Sequence, residues 1–197
     1  MSDVTREELE AGLDEIRAAP KDVGVVQLIV CRPAVGGREV REEGLLDLVH
    51  GLVGDNWAVR GSSRTADGSA HPDMQLNIMG SRAIALIARA KARWPLAGDQ
   101  LFIDMDLSED NMPPGTWLAM GSAIVEITAI PHTGCEKFHR RFGLEATKFV
   151  NSALGKALHL RGLNAKVVQS GSVRIGDTIR KAPREAFGLT GIAVTVQ

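Results

Sequence analysis

Gly51-Leu52-Val53-Gly54-Asp55-Asn56-Trp57 reads as a tight corner between extended segments. Its glycines permit positive φ, and an aspartate can accept hydrogen bonds from its own downstream amides to lock the turn. The same shape returns at Leu96-Ala97-Gly98-Asp99, Met120-Gly121-Ser122 and Arg174-Ile175-Gly176-Asp177, each flanked by apolar or β-branched residues. The spacings are irregular, which excludes a solenoid. Several strands joined at Gly-Asp or Gly-Ser corners predict a closed, antiparallel β-barrel.

Upstream of the first corner, Val23–Cys31 is short and rich in β-branched residues and predicts a strand with Cys31 inside its packing. Arg32-Pro33 and Gly36-Gly37 then mark a turn, and Arg38–Asp47 returns towards Gly51. At the N-terminus, Thr5 and Glu8 fit a capping box, with Leu9, Leu13 and Ile16 on one helical face. That helix ends at Ala18-Ala19-Pro20 and carries a solvated acidic face. Downstream, the polar stretch 58–73 reads as a long surface loop, of the kind that is often functional. Met74–Met79 alternates like a strand and aims Gln75 and Asn77 at one side. Ser81 caps a predicted helix Arg82–Arg93, and strands follow at Gln100–Leu107 and Ala123–Ile130. A helix over Leu144–Leu158 precedes a closing hairpin, Arg161–Val168 with Ser172–Arg180.

Those readings divide the chain into an N-terminal helical extension (1–22), one barrel domain (24–181) and a C-terminal tail (182–197). The fold class is mainly β with peripheral helices (α+β). A length of 197 residues suits one domain with a substantial core. With 44% hydrophobic and 24% charged residues, disordered and fibrous classes are excluded. Net charge is −1, but it is unevenly spread: residues 1–130 hold 12 Lys and Arg against 20 Asp and Glu, and residues 131–197 hold 11 against 4. A basic C-terminal third suits an anionic ligand. Nucleic acid is disfavoured as a partner, because three Trp, five Phe and no Tyr supply a poor stacking platform. Cys31 and Cys135 form no CxxC pair, no signal peptide is evident, and no apolar run reaches the ~18–20 residues of a membrane helix. The expectation is a cytoplasmic protein, without membrane association, whose thiols are free.

The chemistry concentrates in Ile130-Pro131-His132-Thr133-Gly134-Cys135-Glu136-Lys137-Phe138-His139-Arg140-Arg141-Phe142-Gly143. Cys135 falls on a connection between a strand-like and a helix-like run, crowded by two histidines, a lysine and two arginines. Cationic neighbours favour the thiolate, the nucleophilic and metal-binding form. Buried packing is the structural alternative, since free cysteine is among the most buried residue types.

Taken in order, the motifs resemble the MOSC family, named for the C-terminal domain of molybdenum cofactor sulfurases. The resemblance rests on Gly51-x-x-Gly54-Asp55, Leu96-Ala97-Gly98-Asp99, Glu109-Asp110-Asn111, Gly115 and Gly121, Cys135-x-Lys137-Phe138-x-x-Arg141-x-Gly143, Arg161-Gly162, Gly171 and Val173-x-x-Gly176-Asp177. It spans about residues 24–181, with the cysteine where the family has its functional one. Two departures stand out. The family's Lys-Ala-Val is replaced by Met74-Gln75-Leu76-Asn77-Ile78-Met79, and its Pro-Arg-x-Pro-Cys by Pro131-His132-Thr133-Gly134-Cys135.

What the resemblance implies is a single-domain MOSC-type barrel that binds molybdenum cofactor (molybdopterin). Cys135 would be the metal ligand, and His132 or metal-bound water the proton source. Arg141 and Arg161 would anchor the cofactor phosphate, and Lys137, Gln75, Asn77, Asn111 and Asp55 would contact the cofactor. The expected activity is reduction of small N-hydroxylated compounds, with electrons from a partner protein. Two other readings remain: a non-catalytic carrier of cofactor or persulfide sulfur, and Cys-His hydrolysis, which needs an oriented base.

Overall fold

The structure, a computed structural model, describes residues 3–183. The predicted capping box forms: Thr5 Oγ1 accepts from the Glu8 amide, and the Glu8 carboxylate accepts from the Thr5 amide at 2.7 Å. Helix α1 (Arg6–Ala11) breaks at Gly12, and α2 (Leu13–Arg17) continues to strand β1 (Val23–Cys31). Then come β2 (Glu39–Arg41), β3 (Glu43–Asp47), β4 (Gly51–Leu52), α3 (Trp57–Arg60), β5 (Leu76–Gly80), α4 (Ser81–Ala88) and β6 (Leu101–Asp104). The chain continues through β7 (Trp117–Met120), β8 (Ala123–Ile127), α5 (Glu136–Asn151), α6 (Ala153–Ala157), β9 (Leu163–Gln169), β10 (Gly171–Arg174) and β11 (Thr178–Lys181).

Seven strands close into a barrel in the order β11-β7-β8-β9-β5-β6-β1, shut by the β1–β11 pair, and β2 extends β1 on its far side. Closure is as predicted, but one pair corrects the all-antiparallel expectation: β5 and β6 run parallel. The reason is local. Parallel neighbours need a crossover, and the α4 sequence supplies one, with Ile84 and Ile87 buried against the barrel's outer wall. Ser81 is the first helical residue and not its cap, and the α-helix ends at Ala88, with a 3-10 segment over Lys91–Ala97 in place of its last predicted turns.

The closing hairpin is also corrected. Strand β9 pairs with β8 and β5, β11 with β7 and β1, and β10 leaves the barrel to pair with β3 in a separate three-stranded sheet. Gly143, at φ 85°, kinks α5, so the residue read as a helix boundary marks a bend instead. Of the tail, Ala182 and Pro183 are described; its remainder lies outside the described residues.

Strand alternation sorts the core into two. Ile29 and Cys31 point into the barrel with Leu76, Ile78, Leu101 and Ile127, while Leu28 and Val30 point outward to meet Phe102, Phe138 and Phe142 under the helices. Val26 also points inward, three residues from Ile29. A register shift between Val26 and Leu28 adds the residue that makes this possible. Cys31 is fully buried, and loss of hydration pushes its thiol above the ordinary value.

Candidate functional site

One end of the barrel is polar. Here β1 and β8 end and β6 and β9 begin, and side chains that a barrel would ordinarily fill with hydrocarbon are charged. Arg32, the residue after β1, donates to both Asp55 oxygens, from Nε at 2.8 Å and from a terminal nitrogen at 2.8 Å. Its other terminal nitrogen reaches the Gly98 carbonyl at 2.9 Å and Asn77 Oδ1 at 3.1 Å. Asp55 also accepts from the Trp57 amide, so it does lock its own corner.

Asp99 does something else. It is fully buried, and Arg161 donates to its two oxygens at 2.9 and 2.7 Å, while His132 Nε2 lies 2.9 Å from Oδ1. Arg161 also donates to the Ala97 carbonyl at 2.9 Å and lies over the Phe138 ring, 4.9 Å from its centre. Two loops, one helix and one strand start are thereby tied together.

The electrostatics follow from burial and pairing. Burial is the largest influence on Asp99 and acts to raise its pKa. The charge of Arg161 and the hydrogen bonds from His132 and Arg161 overturn it and hold the carboxyl at about 2. For His132, burial and then the nearby Arg161 charge win over the bond to Asp99, so its pKa falls below the ordinary 6.5. At neutral pH the ring is therefore uncharged. Its Nε2 must carry the hydrogen, because a carboxylate only accepts. That leaves Nδ1 with a free lone pair.

A pH dependence follows. A histidine held neutral in the fold binds its proton more readily in the unfolded chain, so its contribution to stability is complete above 6.5 and is lost as pH falls towards the lowered folded value. Asp99 adds a second loss as pH falls from the ordinary 3.8 through about 2. Urea unfolding across pH should show both windows, and His132→Gln should remove only the upper one. Identical profiles for the two proteins would contradict the assignment.

The loop leading to Cys135 is fastened at alternate residues. Asn164 Nδ2 donates to the Ile130 carbonyl at 2.9 Å, His132 is held on Asp99, and Asn151 exchanges two hydrogen bonds with the Gly134 backbone, at 2.9 and 3.0 Å. A side chain at Gly134 would collide with Val150 and Asn151. Cys135 then stands at the N-cap of α5, exposed and free, with no capping hydrogen bond from its side chain. The cations around it are partly neutralised: Arg140 pairs with Glu136 at 3.0 Å, and His139 lies 3.8 Å from the same carboxylate. Lys137 is exposed on the first turn.

The remaining candidates separate by what they already hold. Gln75 spends both ends of its amide on the Leu48 carbonyl and the Val167 amide. Asn77 is bonded to Arg32 and Asn164, and Asn111 to Lys21, Asp106 and Lys181. Arg141 is different. It donates to the Leu96 carbonyl, and beside it Arg38 donates to the carbonyls of Pro95 and Gly37. Neither has a carboxylate partner among the described residues. Burial first, then repulsion from Arg141 and Arg32, lowers the Arg38 pKa. Crowded like charges of this kind make a receptive surface for an anion. Arg38 and Arg32 escaped the sequence reading, although an arginine preceding proline at a strand end, and another just past Gly36-Gly37, were visible.

No protein-family model matches the sequence, and no curated protein matches it. Solved structures do. YuaD from Bacillus subtilis superposes with a TM-score of 0.55 at 14% identity, over 80% of this chain and 94% of that one. YiiM from Escherichia coli gives 0.51 at 20% identity, over 81% and 70%. YiiM from Geobacillus stearothermophilus gives 0.50 at 14%, over 84% and 75%. Both YuaD and YiiM are MOSC-domain proteins, and the seven-stranded mixed barrel with peripheral helices is theirs as well. In fold, the chain carries the MOSC-type barrel.

Proposed function

We propose that the protein binds molybdenum cofactor through Cys135 and reduces N-hydroxylated compounds. The observation that supports this best is an exposed, unpaired thiol on a fastened loop, on the same helix as Arg141 and its neighbour Arg38. Among the described residues no three His, Cys, Asp or Glu side chains converge as a metal cage. A single thiolate cannot hold a bare ion, but it suits a metal that arrives with its own organic ligands. The residues present therefore fit a cofactor-borne metal.

The bound cofactor would supply the electron chemistry. The chain supplies the rest. Cys135 would hold the metal through its sulfur. Arg141 and Arg38 receive the cofactor's phosphate as charge-assisted hydrogen bonds, a task for which Arg161 is less free because Asp99 and Ala97 already hold it. His132 takes a proton at Nδ1 and returns it to the departing oxygen. The balance is R–NHOH plus two electrons and two protons, giving R–NH2 and water. The electrons come from a donor protein.

Metal and pterin analysis of protein from a host that makes the cofactor, beside Cys135→Ala, tests the reading. The expected result is near-stoichiometric molybdenum and oxidised-pterin fluorescence, both lost in the variant, and turnover of N-hydroxylated compounds with an artificial reductant. Cofactor without turnover would favour a carrier. A persulfide on Cys135 in place of cofactor would favour sulfur delivery. Neither on the wild type would end the proposal.

A further inference from the structure

Beside His132 lies a cavity of about 410 Å3, within the range of small-molecule sites. Its apolar walls are Met112, Ile127, Ile130 and Leu163, and its mouth passes exposed Pro114 and Thr133. Glu109 and Lys156, of opposite charge, both line it, so the cavity has no strong net sign.

Two polar groups in the wall lack partners. Arg161 is 5% exposed, yet its Nε has no hydrogen-bond acceptor. A buried donor left unmade costs about 1–3 kcal/mol. His132 is bonded through Nε2 alone, and among the described residues nothing donates to Nδ1. Arg161 Nε has essentially no accessible surface and cannot meet a ligand, whereas the His132 side chain is 15% exposed, so the wall offers one acceptor, Nδ1, set in hydrocarbon.

We propose that this cavity binds a small neutral molecule with an apolar ring or chain and a hydrogen-bond-donating head, its N–H or O–H donated to His132 Nδ1. A carboxylate is the wrong complement. It has no hydrogen for Nδ1, and its lone pairs would face the imidazole's own. The proposal shares His132 Nδ1 with the proton relay proposed above, but its binding test needs no metal, so the two readings fail separately.

The test uses the protein as purified, with benzamide, benzoate and toluene as probes, followed by amide chemical shifts and calorimetry at pH 7.5. Benzamide should bind and shift the amides of Thr133 and Leu163, with benzoate at least about tenfold weaker, the size of one hydrogen bond. Toluene should fall below benzamide by a similar factor. Pro114→Trp and, separately, Thr133→Trp, both at exposed positions, should block binding without changing the melting temperature. His132→Phe should level benzamide with toluene. Benzoate binding as tightly as benzamide would overturn the assignment of the head, and so would benzamide affinity untouched by His132→Phe. No binding at millimolar concentration, or binding that survives both tryptophans, would overturn the cavity as a site.

Discussion

Asp99→Ala should lower the unfolding free energy by about 3–5 kcal/mol, the loss typical when one member of a buried ion pair is removed. The substitution leaves the Arg161 guanidinium buried with the Ala97 carbonyl, the Met79 sulfur and the Phe138 face as its remaining partners, and it frees His132 from its anchor. The diagnostic comparison is a second protein, Asp99→Leu with Arg161→Met. Replacing a buried pair by hydrocarbon of similar volume is often neutral, so the double variant should regain most of the stability lost by the single one. It should nevertheless leave His132 without its anchor, although Asn164 and Asn151 still fasten the loop on either side, and any activity that depends on His132 should stay lost. Denaturant unfolding of the three proteins checks the energies. A single variant within about 1 kcal/mol of wild type, the range of a surface pair, would show that water reaches the site.

Gly162→Ala is the second large effect. This residue directly follows Arg161 and precedes β9, with φ at +99°, and a Cβ there would lie 2.2 Å from the Ile78 carbonyl oxygen. That oxygen belongs to β5, which is laddered on both sides and cannot retreat without loosening β6 or β9. Strain and collision together should cost at least about 2 kcal/mol. Gly36→Ala separates the two causes. Its φ is also positive, at +86°, but nothing lies within 4 Å of the added carbon. It should cost only the left-handed backbone term, about 1–2 kcal/mol. Equal losses at the two positions would rule out the collision as a cause.

The comparison of these glycines shows what was legible in the sequence and what was not. Gly-Asp pairs mark corners because the reasons are local: positive φ at the glycine, and an aspartate bonding its own backbone. Asp177 does so by accepting from the Arg174 amide, and Asp55 by accepting from Trp57. Asp99 carries the same signature but serves Arg161 and His132, 62 and 33 residues away. No local pattern distinguishes the two uses. The parallel β5–β6 pair was missed for a related reason: an amphipathic helix between two strands announces a crossover, but turn residues alone had suggested antiparallel neighbours. Strand β10 was misplaced because its partner, β3, is remote in sequence. Within the site, Cys135 and Arg141 stood out because their motif is contiguous. Nothing local tied Arg38 to Arg141, which it meets only in the fold.

The seam that shuts the barrel pairs Val23 with Arg180 and Val25 with Thr178, near the two ends of the described chain. No shortened or still-growing chain can make that contact. Until translation has passed Thr178, β1 and β7 each present a bare edge, the form of sheet most prone to capture by another molecule. Contacts of such high sequence separation also slow the search for the native state, since loop closure must precede the reward. During synthesis the inner units, β5-α4-β6 and the β7–β8 hairpin, have all their internal partners before the seam can form. C-terminal truncation just before β11 should yield a protein that aggregates, and not a smaller folded one.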